Sequence, residues 1–86
     1  SPLEVTTLAS IVQLESFKAD EQARVAALYL NRLKIGMKLD ADPTIVFLKK
    51  MQQGFTQKVS RVYYKDLAIP SPYNTYINKG LPPGPI

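Results

Sequence analysis

Leu8-Ala9-Ser10-Ile11-Val12-Gln13-Leu14-Glu15-Ser16 reads as a helix that sets four side chains in one row. Leu8, Ile11, Val12 and Glu15 fall at i, i+3, i+4 and i+7, the spacing of a single face. Three of the four are apolar and the last is a carboxylic acid. An acid in line with a core-facing row loses hydration, and that loss favours its protonated form. A proton donor held in an apolar wall is what cleavage of a glycosidic bond needs. The other reading puts Glu15 at the edge of the row, where the helix meets solvent. The pattern alone leaves both open.

Upstream, Ser1-Pro2-Leu3-Glu4 is a helix start: a serine cap, proline at the first position and glutamate three after the cap. The spacing predicts a helix over about 2–17. Asp20 then reads as a second cap, with Glu21 in the positive first turn. A second helix over about 21–35 carries Ala23, Val25, Leu28, Tyr29 and Leu33. It stops at Gly36, with Arg32 and Lys34 in its last turn. Small Ala26 and Ala27 suit close packing of the two helices. Asp42-Pro43-Thr44 is a third start, with Asp42 as cap, and predicts a helix over about 43–51. Ile45-Val46-Phe47-Leu48 would also suit a strand. Gln52 to Lys58 reads as a loop around Gly54, and Val59 to Leu67 as a short strand.

From Pro70 onward the composition changes. Five of the seven prolines and two of the four glycines lie there. Composition suits a terminal linker. Tyr73, Tyr76, Leu81 and Ile86 suit a segment anchored to the rest of the fold.

The 86 residues make one small domain or a portion of a larger one. The chain has no cysteine and no histidine, which excludes disulfides, the usual zinc sites and His-activated nucleophiles. No metal or other cofactor is expected. Eleven basic against seven acidic side chains give +4 and a pI near 9.5. The excess is scattered, a solvated surface rather than a nucleic-acid stripe. No run reaches the roughly 18 apolar residues of a membrane span.

Several short motifs together resemble the YceG-like endolytic murein transglycosylases, the MltG type. They are Leu8 to Glu15, Asn31-Arg32-Leu33, Gly36-Met37, Asp42-Pro43-Thr44, Tyr73-Asn74-Thr75-Tyr76 and Gly80-Leu81-Pro82-Pro83-Gly84-Pro85-Ile86. Their order and spacing are those of the family, across nearly the whole chain. The resemblance implies an α+β, mainly helical, lysozyme-like catalytic subdomain with a short strand or hairpin and an extended proline-rich C-terminal segment. Residues 1–86 would then be part of a catalytic domain, with the segment about 70–86 lining its cleft. A membrane anchor, a LysM-like region and further helix and strand would lie outside the chain. The implied setting is the outer face of the bacterial cytoplasmic membrane. The implied partners are peptidoglycan glycan strands and peptidoglycan synthases (penicillin-binding proteins), not nucleic acid.

The family's active-site motif resembles Ala-Ser-Ile-Val-Glu-x-Glu, and its second acid falls on Glu15. Its first acid is Gln13 here, which cannot deliver a proton. Asp40 stands where the family usually has glutamine, turning an amide into an acceptor. Glu15 is therefore the implied catalytic acid. It would protonate the glycosidic oxygen, and ring closure by the C6 hydroxyl of the same muramic acid would leave a 1,6-anhydro end. Tyr73, Asn74 and Tyr76 are candidate sugar contacts through ring faces and an amide, and also read simply as a turn with two half-buried phenols. Asn31 either lines a groove or ends a helix. Asp40 is a substrate contact or a solvated loop residue, and Asp42 reads as a cap rather than a catalytic group. A non-catalytic glycan-binding module would keep the two tyrosines and have no use for Glu15.

Overall fold

The computed structural model describes the whole sequence, Ser1 to Ile86. Helix α1, Pro2–Glu15, opens on a closed capping box. Ser1 Oγ accepts the Glu4 N–H at 3.3 Å, and the Glu4 carboxylate accepts from the Ser1 amine at 3.0 Å. The helix ends at Glu15, two residues short of the expected end, because Ser16 turns extended. Ser16 is a buried corner post. Its hydroxyl donates to Glu21 Oε2 (2.7 Å) and accepts the Lys18 N–H (3.3 Å), while Gln22 Nε2 donates to its carbonyl (2.7 Å). Helix α2, Ala19–Ile35, consequently starts on Lys18 and not on Asp20. Asp20 sits inside the first turn and pairs only loosely with Arg24, at 4.0 Å. At the other end Gly36 takes a φ of +75°, which a glycine adopts without strain, and closes the helix on the Arg32 and Leu33 carbonyls.

Helix α3, Asp42–Gln53, buries Pro43, Thr44, Ile45 and Leu48. Its β-branched residues stay helical because Pro43 presets a helical φ and no strand is nearby to pair with. The strand expected over Val59–Leu67 does not form. Tyr64–Ala68 coils into a short 3-10 turn instead. Asp66 explains the difference: its carboxylate accepts the Tyr63 N–H and Lys49 Nζ, both at 2.8 Å. A side chain thus satisfies backbone that a ladder would otherwise need, and the Lys49 bond holds the Asp66 carboxyl below its usual range. No hairpin is present; the only antiparallel pairing is an isolated bridge between Lys38 and Lys79. The fold is mainly helical, without strands.

The core gathers Ile11 and Val12 of α1, Tyr29 of α2, and Leu39 and Ala41 of the loop before α3. Leu8, Val25, Ala26, Leu33, Leu81 and Ile86 pack around it. Ala26 makes the close approach between helices, while Ala27 faces solvent. The proline-rich tail is packed, not solvated: Pro82 and Gly84 are buried and the Ile86 N–H donates to Ser10 Oγ at 3.0 Å. Truncating Leu81→Ala should lower stability by about 2 kcal/mol, the low end for an aliphatic side chain against a core. A melting temperature unchanged from the parent protein would show that the tail contributes no packing.

Candidate active site

Glu15 is the last residue of α1 and Asp42 the first of α3, so two helix ends bring two carboxylates to one cleft. The cleft holds a cavity of about 360 Å³, bounded by Leu14, Glu15, Asp42, Pro43, Val46, Phe47, Lys50, Phe55 and Ile86. Its walls are largely apolar, with the two acids on one side and Lys50 as the one cation.

Glu15 is not enclosed as its alignment with Ile11 and Val12 suggests. Those two are buried, whereas its own side chain is exposed at the cavity mouth, one turn beyond the core. Its carboxyl is nevertheless raised above the usual range, first by partial burial against the apolar wall and then by the negative charge of Asp42. The row therefore ends in an acid that meets both solvent and cavity, combining features of the two readings left open by the sequence.

Asp42 corrects a second expectation. Its side chain makes no capping bond, and the residue before it, Ala41, occupies the cap position. Its carboxylate instead accepts a short hydrogen bond from the Tyr76 hydroxyl. Thr44 braces this first turn, its hydroxyl donating to the Ala41 carbonyl at 2.7 Å. Burial, followed by that bond to Asp42, pushes the Tyr76 phenol far up. Tyr29 lies behind them, 3% exposed, its phenol pushed up to about 12 by burial first and by the charge of Glu15 next. Both phenols thus keep their protons in any neutral solution, and the Tyr76 O–H is the one that bonds a carboxylate, that of Asp42. Sequence reading placed Tyr29 only as a core residue; an aromatic residue with a polar tip on a helix facing the acid row was the available signal.

The other candidates are divided by burial. Asn74 is fully enclosed: its amide donates to the Leu67 and Ile69 carbonyls at 3.0 and 2.8 Å, and its oxygen accepts the Tyr76 N–H at 2.8 Å. That leaves no amide hydrogen to offer a sugar, so Asn74 holds the turn that carries Tyr76. Tyr73 is half-buried and packs its ring on Phe47, centroids 5.3 Å apart, and Phe47 lines the cavity and meets Phe55 at 5.9 Å. Tyr73 supports the aromatic wall from behind.

Asp40 is exposed in a left-handed conformation, φ +49°, which aspartate tolerates better than most residues. Its N–H donates to the Thr75 carbonyl at 3.2 Å, and its charge adds to those acting on the Tyr76 phenol. Thr75 fixes this loop further, accepting the Ala41 N–H at 2.9 Å and meeting the Thr44 hydroxyl at 2.9 Å. Asn31 is exposed on α2 and lies outside the cavity; its neighbour Arg32 is spent on the Leu39 carbonyl at 2.6 Å. No group of His, Cys, Asp and Glu side chains is arranged to hold a metal ion.

The comparisons with known proteins agree with one another. The sequence profile of the YceG-like family matches residues 1–86. An endolytic murein transglycosylase of Bacillus subtilis is 41% identical over 83 residues, which is 96% of this chain and 21% of that protein. An endolytic murein transglycosylase of Streptococcus pneumoniae is 34% identical over 84 residues, 96% of this chain and 15% of that protein. A crystal structure of a YceG-like protein of Listeria monocytogenes superposes with a TM-score of 0.76 at 39% identity, covering 92% of this chain and 24% of that one. The chain thus spans only 21% and 15% of the length of these two curated relatives. A match along the entire sequence, joined to close agreement in backbone with a member of the same group, makes this chain a member of the YceG-like family.

Proposed function

We propose that these residues form the acid-bearing part of an endolytic peptidoglycan transglycosylase. The observation that carries the reading is Glu15 at the edge of an apolar cavity, its carboxyl raised by the wall and by Asp42. Glu15 protonates the oxygen between N-acetylmuramic acid and N-acetylglucosamine, and the bond to the muramic C1 breaks. The developing positive charge on that sugar faces the Asp42 carboxylate, which stabilises it electrostatically. The Glu15 carboxylate then takes the proton of the C6 hydroxyl as that oxygen closes on C1. The product is a 1,6-anhydro end, no water is consumed, and Glu15 returns to its starting state. We place the activity in cell-wall assembly at the outer face of the bacterial cytoplasmic membrane, beside peptidoglycan synthases; the murein transglycosylase relatives support peptidoglycan as the substrate. No helix of the chain is long and apolar enough to cross a membrane.

A second reading is favoured by one observation, the presence of more than one acid at the cleft. Two carboxylates are what hydrolysis by water requires, one as acid and one as base. Asp42 is at the cavity and Asp40 stands nearby, where an amide could not serve as base. Product analysis on purified sacculi separates the two: anhydro-muropeptides support ring closure, and reducing ends support hydrolysis. Release of neither, together with retained binding to sacculi, would leave a glycan-binding module.

The pH profile supplies a further check on Asp42. The proton-delivering form of Glu15 persists up to its raised pKa and is lost as pH rises through it. Replacing Asp42→Asn removes one cause of the rise, so the basic limb of kcat should move to lower pH. A limb that stays in place would mean that Asp42 does not act on Glu15.

A further inference from the structure

Asp42, Val46 and Lys50 lie at i, i+4 and i+8 on one face of α3, so the helix carries a negative charge at one end of the cleft and a positive one at the other. Eight residues of helix separate them by ~12 Å along the axis, a span comparable to a disaccharide. Lys50 does not end the groove. A second depression, about 260 Å³, is bounded by Val46, Lys50, Phe55, Thr56, Gln57, Lys58 and Val59, so Val46, Lys50 and Phe55 are common to both. The cleft thus continues past Lys50 toward Lys58.

Lys50 is half-buried, and its ammonium has neither an ion-pair nor a hydrogen-bond partner within the chain. The contrast with its neighbour is informative. Lys49 is engaged by the Asp66 carboxylate at 2.8 Å and the Arg61 carbonyl at 2.9 Å. Lys58 engages the protein only through its backbone carbonyl, which accepts from Gln53 at 3.4 Å. Two uncommitted ammonium groups on one groove form an anion site, one of them with part of its hydration already removed by the apolar cleft.

We propose that Lys50 and Lys58 form a subsite for the carboxylates of the peptide branch carried by the glycan strand. This rests on the proposed function and extends it to substrate choice. The sugar backbone near the bond to be cut offers hydroxyls and amides but little charge. The peptide branch on the muramic lactyl group carries free carboxylates. Placing that branch toward Lys50 sets the muramic C1 near Glu15 and Asp42, so charge pairing fixes which way the strand lies.

The test uses the complete protein with Glu15→Gln, which holds glycan without cutting it. Affinity is measured for two strands differing only in whether the branch carboxylates are free or amidated. Free acid should bind roughly tenfold more tightly, as expected for a charge-assisted contact, and the advantage should shrink with added salt. Lys50→Gln together with Lys58→Gln should bring the ratio of affinities close to one. Lys58→Gln alone alters an exposed side chain that makes no hydrogen bond or ion pair within the chain, leaves the fold intact, and should reduce the ratio in part. Equal binding of the two strands by the parent, or a ratio that survives both substitutions, overturns the subsite and leaves the glycan reading standing. Failure to bind either strand overturns the glycan reading, and the subsite falls with it.

Discussion

Replacing Glu15→Gln should lower strand cleavage by at least ~100-fold, the low end of what a positioned general acid contributes. The amide keeps the shape and polarity of the side chain at the cavity mouth and cannot deliver a proton. Stability should not fall. Because the folded protein raises the Glu15 pKa, this group adds stability below the ordinary carboxylate range and loses that contribution as pH rises through the raised value. Wherever Glu15 is ionised, the substitution therefore removes a disfavoured charge. Gln13→Ala provides the control: its side chain is exposed on α1 outside the cavity, and its loss should leave both activity and melting temperature near the parent. Product release and melting curves of the two variants in the complete protein decide the matter. Near-parental cleavage by Glu15→Gln would remove Glu15 from the chemistry.

Asn74→Ala should have the opposite signature, a large loss of stability. The substitution removes a fully enclosed side chain and strands the half-buried Leu67 and Ile69 carbonyls and the Tyr76 N–H. Each buried group left without a partner costs about 1–3 kcal/mol, so a loss of about 3 kcal/mol or more is expected. That is a large share of the stability of a small domain. Activity should fall as well, through displacement of Tyr76 and the Asp42 carboxylate it holds. Denaturant titration separates this from a direct sugar contact: a variant with lost glycan binding and an unchanged midpoint would return Asn74 to the ligand-contact role.

Local chemistry was enough for the helices, because their signals act within one turn. Ser1-Pro2-Leu3-Glu4 closes its own capping box, Gly36 meets the need for a left-handed residue, and Pro43 presets the start of α3. Glu15 was also legible as the one acid in an otherwise apolar row. Contacts between distant segments set the rest. Whether Glu15 is enclosed or open depends on what stands beyond the end of α1, and Asp42, Pro43 and Ile86 come from far along the chain. Asp42 looked like a cap because Asp-Pro-Thr is a sufficient local explanation; its real partner, Tyr76, lies 34 residues away. Asn74 looked like a sugar contact because an amide carries no mark of which groups will surround it. The strand expected over Val59–Leu67 failed for the same reason: alternation cannot show that Lys49, on another helix, will draw Asp66 into a 3-10 turn. The sequence by itself determined the helix starts at Ser1-Pro2 and at Pro43, the stop at Gly36, and the acid at the end of α1. Only tertiary structure decided which carboxylates face each other, because burial and charge coupling depend on separations in space that no local pattern encodes.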